Sequence, residues 1–236
     1  MNIGGIIFSR MSSSRLPGKA LIDIDGKTLF ERVIERSKKI RNINHLCVAT
    51  SKEKQDDIIA KTALSFGLEV YRGDLNDVAK RAFQAAKKYK YSDFLRICGD
   101  RPLFDSNIYD ELIQEHIKFK NDLTTTIFPR SVPVGFTGEI ISTKAMKKLL
   151  SLTNNKMDRE HVTRFFYKNP KLFSISNLDF NFSTEIINLK FAIDCKEDLE
   201  MSRWIIRNIK NQNSSSNSKE IFSLAVEWNK LNNCDK

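Results

Sequence analysis

A chain of 236 residues, 41% hydrophobic and 29% charged, is long enough to bury a sizeable core, which excludes a disordered chain and a disulfide-stapled miniature domain. The formal net charge of +10 favours anionic partners, an acidic small molecule or nucleic acid; no basic block is interleaved with aromatics as a base-stacking platform requires, so nucleic acid is not the expected partner. No apolar run approaches the ~18 residues of a membrane span, no charged leader precedes the first predicted strand, and the cysteines (Cys47, Cys98, Cys195, Cys234) show no CxxC or metal-ligand spacing. A soluble, cytoplasmic protein with no membrane insertion and reduced, mostly buried thiols is expected.

Strand and helix patterns alternate along the chain. Gly4–Phe8 is a short apolar run that reads as a buried parallel strand, followed by a polar loop from Arg10 to Lys19. Thr28-Leu29-Phe30-Glu31 is a capping box opening a helix to about Ile40. His45–Thr50 is a second strand, Asp56–Phe66 a helix closed by Gly67, and Leu68–Tyr71 a third strand. Asp77–Lys88 is a helix, Asp93–Ile97 a strand that stops at Gly99-Asp100, and Ser106 caps a helix to about Lys118. Beyond residue 120, strands are expected at Asp122–Phe128, Glu139–Ser142, Leu172–Leu178 and Leu189–Ile193. Helical segments are expected after Thr143, over Asp158–Tyr167 and over Cys195–Ile209. Residues 211–218, rich in Asn and Ser, read as a flexible linker, and 219–236 as a terminal helix that docks back through one apolar stripe.

Successive βα units imply an α/β fold: a Rossmann-like, mostly parallel sheet with helices on both faces. Residues 1–210 form the main domain, 125–185 is a small α+β insertion, and 189–209 rejoins the main sheet. Ligands of such sheets bind beyond the carboxyl ends of the strands. The polar clusters after Phe8, Ala49, Tyr71 and Ile97 fall there.

The first of these clusters, from Ser9 to Lys19, places Arg10, Arg15 and Lys19 at offsets of 0, 5 and 9 among small residues. Arginine forks suit phosphate oxygens, and Ser and Gly let backbone N–H groups point inward, so a triphosphate cradle and a solvated basic loop are the alternatives. The Walker A pattern is absent. Asp100 and Asp194 each end a predicted strand. As hard oxygen donors both suit Mg²⁺; alternatively Asp100 is a turn residue and Asp194 a helix cap. His45 and His116 read as structural, whereas His161 is a candidate site residue.

The stretch Arg10-Met11-Ser12-Ser13-Ser14-Arg15-Leu16-Pro17-Gly18-Lys19 resembles the signature A-R-x-x-S-x-R-x-P-x-K of the cytidylyltransferase family. That family includes spore-coat polysaccharide enzymes of the SpsF type and the CMP-sugar synthetases (KDO and sialic-acid-like). The blocks Tyr71–Val78, Leu95–Leu103, Arg159–Thr163 and Ala192–Leu199 are similar to later family blocks, in the same order. The resemblance implies a nucleotide-diphospho-sugar-transferase-type fold and Mg²⁺-dependent transfer of CMP from CTP to an acidic acceptor, releasing pyrophosphate, in surface polysaccharide or glycoconjugate biosynthesis. It implies catalytic roles for Arg10, Arg15, Lys19 and Asp100, with Asp100 and Asp194 on the metal. Ser9, Ser12, Thr50, Ser51, Arg72 and Asp77 would contact the nucleotide. Arg101, Glu139, Arg159 and His161 would face an anionic acceptor, and a homodimer would form through 125–185. This chain departs from the family in carrying Arg101 where Cys is common and Thr137 where a carboxylate is usual, both on the expected acceptor side. A same-fold enzyme using GTP or UTP, and a non-catalytic basic binding protein, are the competing readings.

Overall fold

The computed structural model describes residues 1–13, 15–210 and 217–233. The first apolar run forms β1 (Ile3–Phe8), with Ile3, Ile6 and Ile7 fully buried. Thr28 and Glu31 close a reciprocal capping box, and α1 (Leu29–Ser37) turns Leu29, Phe30, Val33 and Ile34 onto the sheet. The alternation continues through β2 (His45–Ser51), α2 (Asp57–Ser65), β3 (Glu69–Gly73), α3 (Val78–Lys88), β4 (Asp93–Cys98) and α4 (Ser106–Phe119). Asp105, not the expected Ser106, caps α4: its extended backbone presents the carboxylate to Asn107 N at 2.9 Å, while Ser106 already lies in the helix.

The second half contributes β5 (Leu123–Thr125), β6 (Glu139–Ser142), α5 (Thr143–Leu152), α6 (Lys156–Glu160), α7 (Arg164–Lys168), β7 (Ile175–Asn177), α8 (Thr184–Ile187), α9 (Lys196–Asn208) and α10 (Ser218–Asn233). The sheet runs β3-β2-β1-β4-β6-β5-β7, and β6 is antiparallel to both neighbours, so the sheet is mostly parallel. The strands of 125–185 therefore extend the main sheet.

The expected strand at Leu189–Ile193 does not form. Because β6 occupies the free edge of β4, this segment has no slot in the ladder; it makes one bridge, Val134 to Lys190, and Phe191 N donates to Val134 O at 2.7 Å. The 122–128 strand shortens to three residues as the chain turns back, Thr126 N donating to Gly138 O at 3.2 Å. The expected strand at 172–178 likewise narrows to β7, and the 158–167 helix divides at His161, whose ψ of 84° is not helical. Of the cysteines, Cys47 is buried, Cys98 half-buried and Cys195 exposed, so burial is less complete than expected; Cys234 lies outside the described residues.

One buried cluster fills the face under α1, α4, α9 and α10, and a second lies under α3, α5 and α7. The terminal helix closes the first: Ile221, Phe222 and Ala225 are buried, and Trp228 packs 5.7 Å from Trp204. Most of the expected 211–218 linker (211–216) lies outside the described residues. On the sheet, Phe8 pairs with both Ala49 and Cys98, and Thr50 with Arg72, so the carboxyl ends of four parallel strands finish nearly level. A crevice follows from that levelling.

Candidate active site

Asp56 fixes the loop that crosses the crevice. Fully buried, it accepts from Met11 N at 2.7 Å and from Ser51 N at 3.2 Å, tying the end of β1 to the end of β2. Met11 O then receives Ser13 N and Gly18 N, curling the chain back, and Gly18 takes a φ of 70° that glycine adopts at little cost. The 3₁₀ turn Lys19–Leu21 follows and aims Lys19 inward.

Lys19 Nζ donates to Asp100 Oδ2 at 2.9 Å, to Asp194 Oδ1 at 3.1 Å and to Ile193 O at 2.8 Å. Arg15 reaches the same Asp194 oxygen at 2.8 Å. Asp100 owes its place to Gly99, whose N donates to Phe8 O at 2.9 Å; a Cβ on that glycine would lie 2.7 Å from the carbonyl oxygen. Burial pushes the Asp100 carboxyl up, but Lys19 and Arg101 outweigh it and hold the group below the usual carboxylate range. Asp194 is not the helix cap that was the alternative to a site role. Cys195 holds that position, and Asp198, three residues on, completes a capping box by accepting from Cys195 N at 3.1 Å; it also accepts from Asp194 N at 2.8 Å, which leaves the Asp194 side chain to the site.

On the far wall, Arg10 donates to Leu75 O at 3.1 Å and pairs with Glu160 at 3.0 Å. Arg81, 2% exposed, donates to the same Leu75 carbonyl at 3.3 Å. Burial, and then Arg10 beside it, bring the Arg81 guanidinium down to about 10, so it stays charged at neutral pH. These groups line a cleft of 380 Å³ together with Ser9, Ser12 and Gly99. A second cavity of 460 Å³ adjoins it, with Arg96 and His161 in the lining of both.

Ser9, Arg10, Ser12, Arg15, Lys19, Asp100 and His161 thus line the cleft as expected, and Asp194 joins them through Lys19 and Arg15. Other candidates have different tasks. Thr50 and Ser51 are fully buried beneath the loop, and Ser51 Oγ binds Asp56. Arg72 straps the turn after β2, donating to Ser51 O and Glu53 O at 2.9 Å and to Asp57 at 2.6 Å. Asp77 caps α3 through Lys80 N at 2.9 Å, and Arg159 is spent on Asp77 at 3.3 Å and on the Thr153 and Leu150 carbonyls. Arg101 turns inward, donating to Thr137 O. Glu139 reaches the second cavity but is 2% exposed and paired with Arg96. Asp56, Arg81, Arg96 and Glu160 were not singled out by sequence: Asp56 and Arg81 sit inside helix patterns with no local motif, and Arg96 and Glu160 lie within the blocks Leu95–Leu103 and Arg159–Thr163 beside the residues to which roles were given. Among the described residues no group of three His, Cys, Asp or Glu side chains is arranged for a metal.

The sequence profile described as Cytidylyltransferase matches residues 5–221. The chain belongs to the cytidylyltransferase family. It is similar to an uncharacterized protein of Methanocaldococcus jannaschii, 31% identical over 85% of this chain and 82% of that one. It is 28% identical to the spore coat polysaccharide biosynthesis protein SpsF of Bacillus subtilis, over 83% of this chain and 82% of the relative. A cytidylyltransferase structure from Leptospira borgpetersenii superimposes with a TM-score of 0.88 at 27% identity, covering 99% of this chain and 96% of the other. As a cytidylyltransferase, the chain is a nucleotidyltransferase, and its cation-rich cleft lies at the strand ends, where ligands of parallel α/β sheets bind.

Proposed function

We propose that this cytidylyltransferase transfers CMP from CTP to an anionic acceptor, releasing pyrophosphate, in the biosynthesis of a surface polysaccharide or glycoconjugate. One observation carries the reading: Lys19 sits between Asp100 and Asp194, with Arg15 on Asp194 and Arg10 on Glu160. A triphosphate entering this cleft exchanges carboxylate partners for phosphate oxygens, so the cations are already oriented and the released carboxylates are left for another cation. Arg10, Arg15 and Lys19 hold the β- and γ-phosphates. The acceptor hydroxyl oxygen forms a bond to the α-phosphorus, the α–β anhydride bond breaks, pyrophosphate leaves and the hydroxyl proton passes to water.

Asp100 and Asp194 suit Mg²⁺, being two hard oxygen donors that already converge on one cation, and the ion bound there would offset charge on the phosphates. The second cavity suits the acceptor: Arg96, Arg164 and Lys168 outnumber the one carboxylate, Glu139, and His161 stands where it meets the cleft. The SpsF relative supports a sugar-derived acceptor. A homodimer through 125–185 belongs to the same reading, and Leu152, Met157 and Leu172 there are 48%, 48% and 44% exposed.

Thermal unfolding with CTP, UTP, GTP and ATP, each with and without Mg²⁺, tests this. A ligand at about 100 times its dissociation constant adds roughly 2.7 kcal/mol, a shift of several degrees. A CTP shift above the others and strengthened by Mg²⁺ is the expected outcome, after which acceptors are screened by pyrophosphate release. No shift with any nucleotide overturns the proposal, and a larger UTP or GTP shift moves it to that base.

A further inference from the structure

Arg96 stands on β4 in the wall between the two cavities and contributes to the lining of each. Its guanidinium carries five N–H donors. One end is spent on Glu139, through Nη1; Nε is buried and has no partner among the described residues. Glu139 also accepts from the Tyr167 hydroxyl at 2.7 Å, and that hydroxyl lies 2.9 Å from Thr125 Oγ1. Burial raises the Glu139 carboxyl, and Arg96 with the Tyr167 hydrogen bond overrides it, keeping the group below its ordinary range. The side chains of the pair are 22% and 2% exposed, so the cation faces the cavities and the anion lies behind it.

A pair built only for stability has no need of this asymmetry, since apolar side chains of the same volume serve the core as well or better. A carboxylate braced by a tyrosine and a threonine does have a use: it holds a guanidinium at one orientation while the arginine side chain stays part-exposed. That side chain borders both the space of the nucleotide and the space of the acceptor.

We propose that Arg96 is a catalytic residue that touches the nucleotide's phosphate on one side and the acceptor's anionic group on the other, with Glu139 and Tyr167 as the positioning residues that hold it. This rests on the cytidylyltransferase reading of the cleft and adds a residue that joins the two substrates. A cation shared by both substrates neutralises their mutual repulsion and sets the acceptor oxygen against phosphorus.

The test is nuclear magnetic resonance of the arginine Nε–Hε groups of the full chain, with the Arg96 signal assigned by its loss in Arg96→Lys. Mg²⁺·CTP, then inorganic phosphate at saturating CTP, are the probes. The Arg96 signal is expected to move with CTP and to move again with phosphate, and Glu139→Gln and Tyr167→Phe are expected to blunt both responses while leaving CTP-induced shifts in the Arg10–Lys19 amides intact. A purely structural pair would give no response at Nε. If CTP moves the loop amides while the Arg96 signal answers neither probe, the proposal is overturned and the nucleotide reading survives. If CTP moves neither, the nucleotide reading fails and the proposal with it.

Discussion

Lys19 satisfies two carboxylates and a carbonyl at once, so its neighbours are matched in charge before any ligand arrives. Asp100→Asn removes one negative partner while keeping the shape; turnover is expected to fall by at least about 100-fold, the scale of a lost electrostatic contact in a transition state, while the circular dichroism spectrum stays unchanged. Turnover within a few-fold of wild type would remove Asp100 from the chemistry. Arg15 is largely exposed, lines the cleft and pairs there with Asp194. Arg15→Ala should weaken CTP more than CMP in calorimetric titration, and an equal loss for both would end its assignment to the outer phosphates. Gly99 is a different kind of residue, needed for space: alanine there drives a Cβ to 2.7 Å from the Phe8 carbonyl. Gly99→Ala is expected to cost about 1–3 kcal/mol by forcing the β1 and β4 ends apart, measured by denaturant unfolding, and to lower CTP affinity as well.

The phosphate loop shows how an element borrows its conformation from another. Loops of this length have no ladder of their own, and this one is held by Asp56, forty-five positions away in sequence from Met11. Asp56→Ala leaves the Met11 and Ser51 amides without their acceptor, a loss of about 1–3 kcal/mol for each buried group. The expected reading is a lower unfolding midpoint and a weakened CTP shift together; a lowered midpoint with a normal CTP shift would show that the loop holds its form without the clamp. The helices 156–160 and 164–168 behave similarly. Their separation at His161 turns that side chain toward both cavities, whereas one continuous helix would carry it elsewhere.

For the whole molecule, the depressed carboxyls of Asp100 and Glu139 set the response to acid. Their folded pKa values lie below the ordinary 3.8 and 4.5, so within that window the unfolded chain binds more protons and stability falls as pH drops through it. Wild type is therefore expected to lose midpoint temperature below about pH 4.5 more steeply than Glu139→Gln, whose side chain does not titrate; parallel curves would mean that the pair carries no such linkage. The net charge of +10 should speed capture of an anionic nucleotide and make that rate salt-dependent. A solution mass of two chains is expected at micromolar concentration, and a monomer would refute assembly through 125–185.

Much of this was legible in order of residues. Short apolar runs and helical periodicity marked β1 to β4 and their helices because burial imposes them, and the capping box at Thr28 is a local event. The Arg10–Lys19 loop and the carboxylate ending β4 were legible for the same reason: small residues and clustered charge at a strand end have few other uses. What tertiary structure alone decided was which charges meet. Whether Asp194 serves the cleft, whether Arg72 faces the cleft or straps a turn, and which edge of β4 is taken by β6 all depend on contacts between residues far apart in sequence. Arg81 and Arg96 are ordinary helix and strand residues until the sheet is assembled, and the sheet buries them beside the crevice. The sequence by itself determined the strand ends and their charge; folding determined the partner of each charge, because a Coulombic contact is fixed by distance in space and the chain encodes that distance only through the packing of everything between.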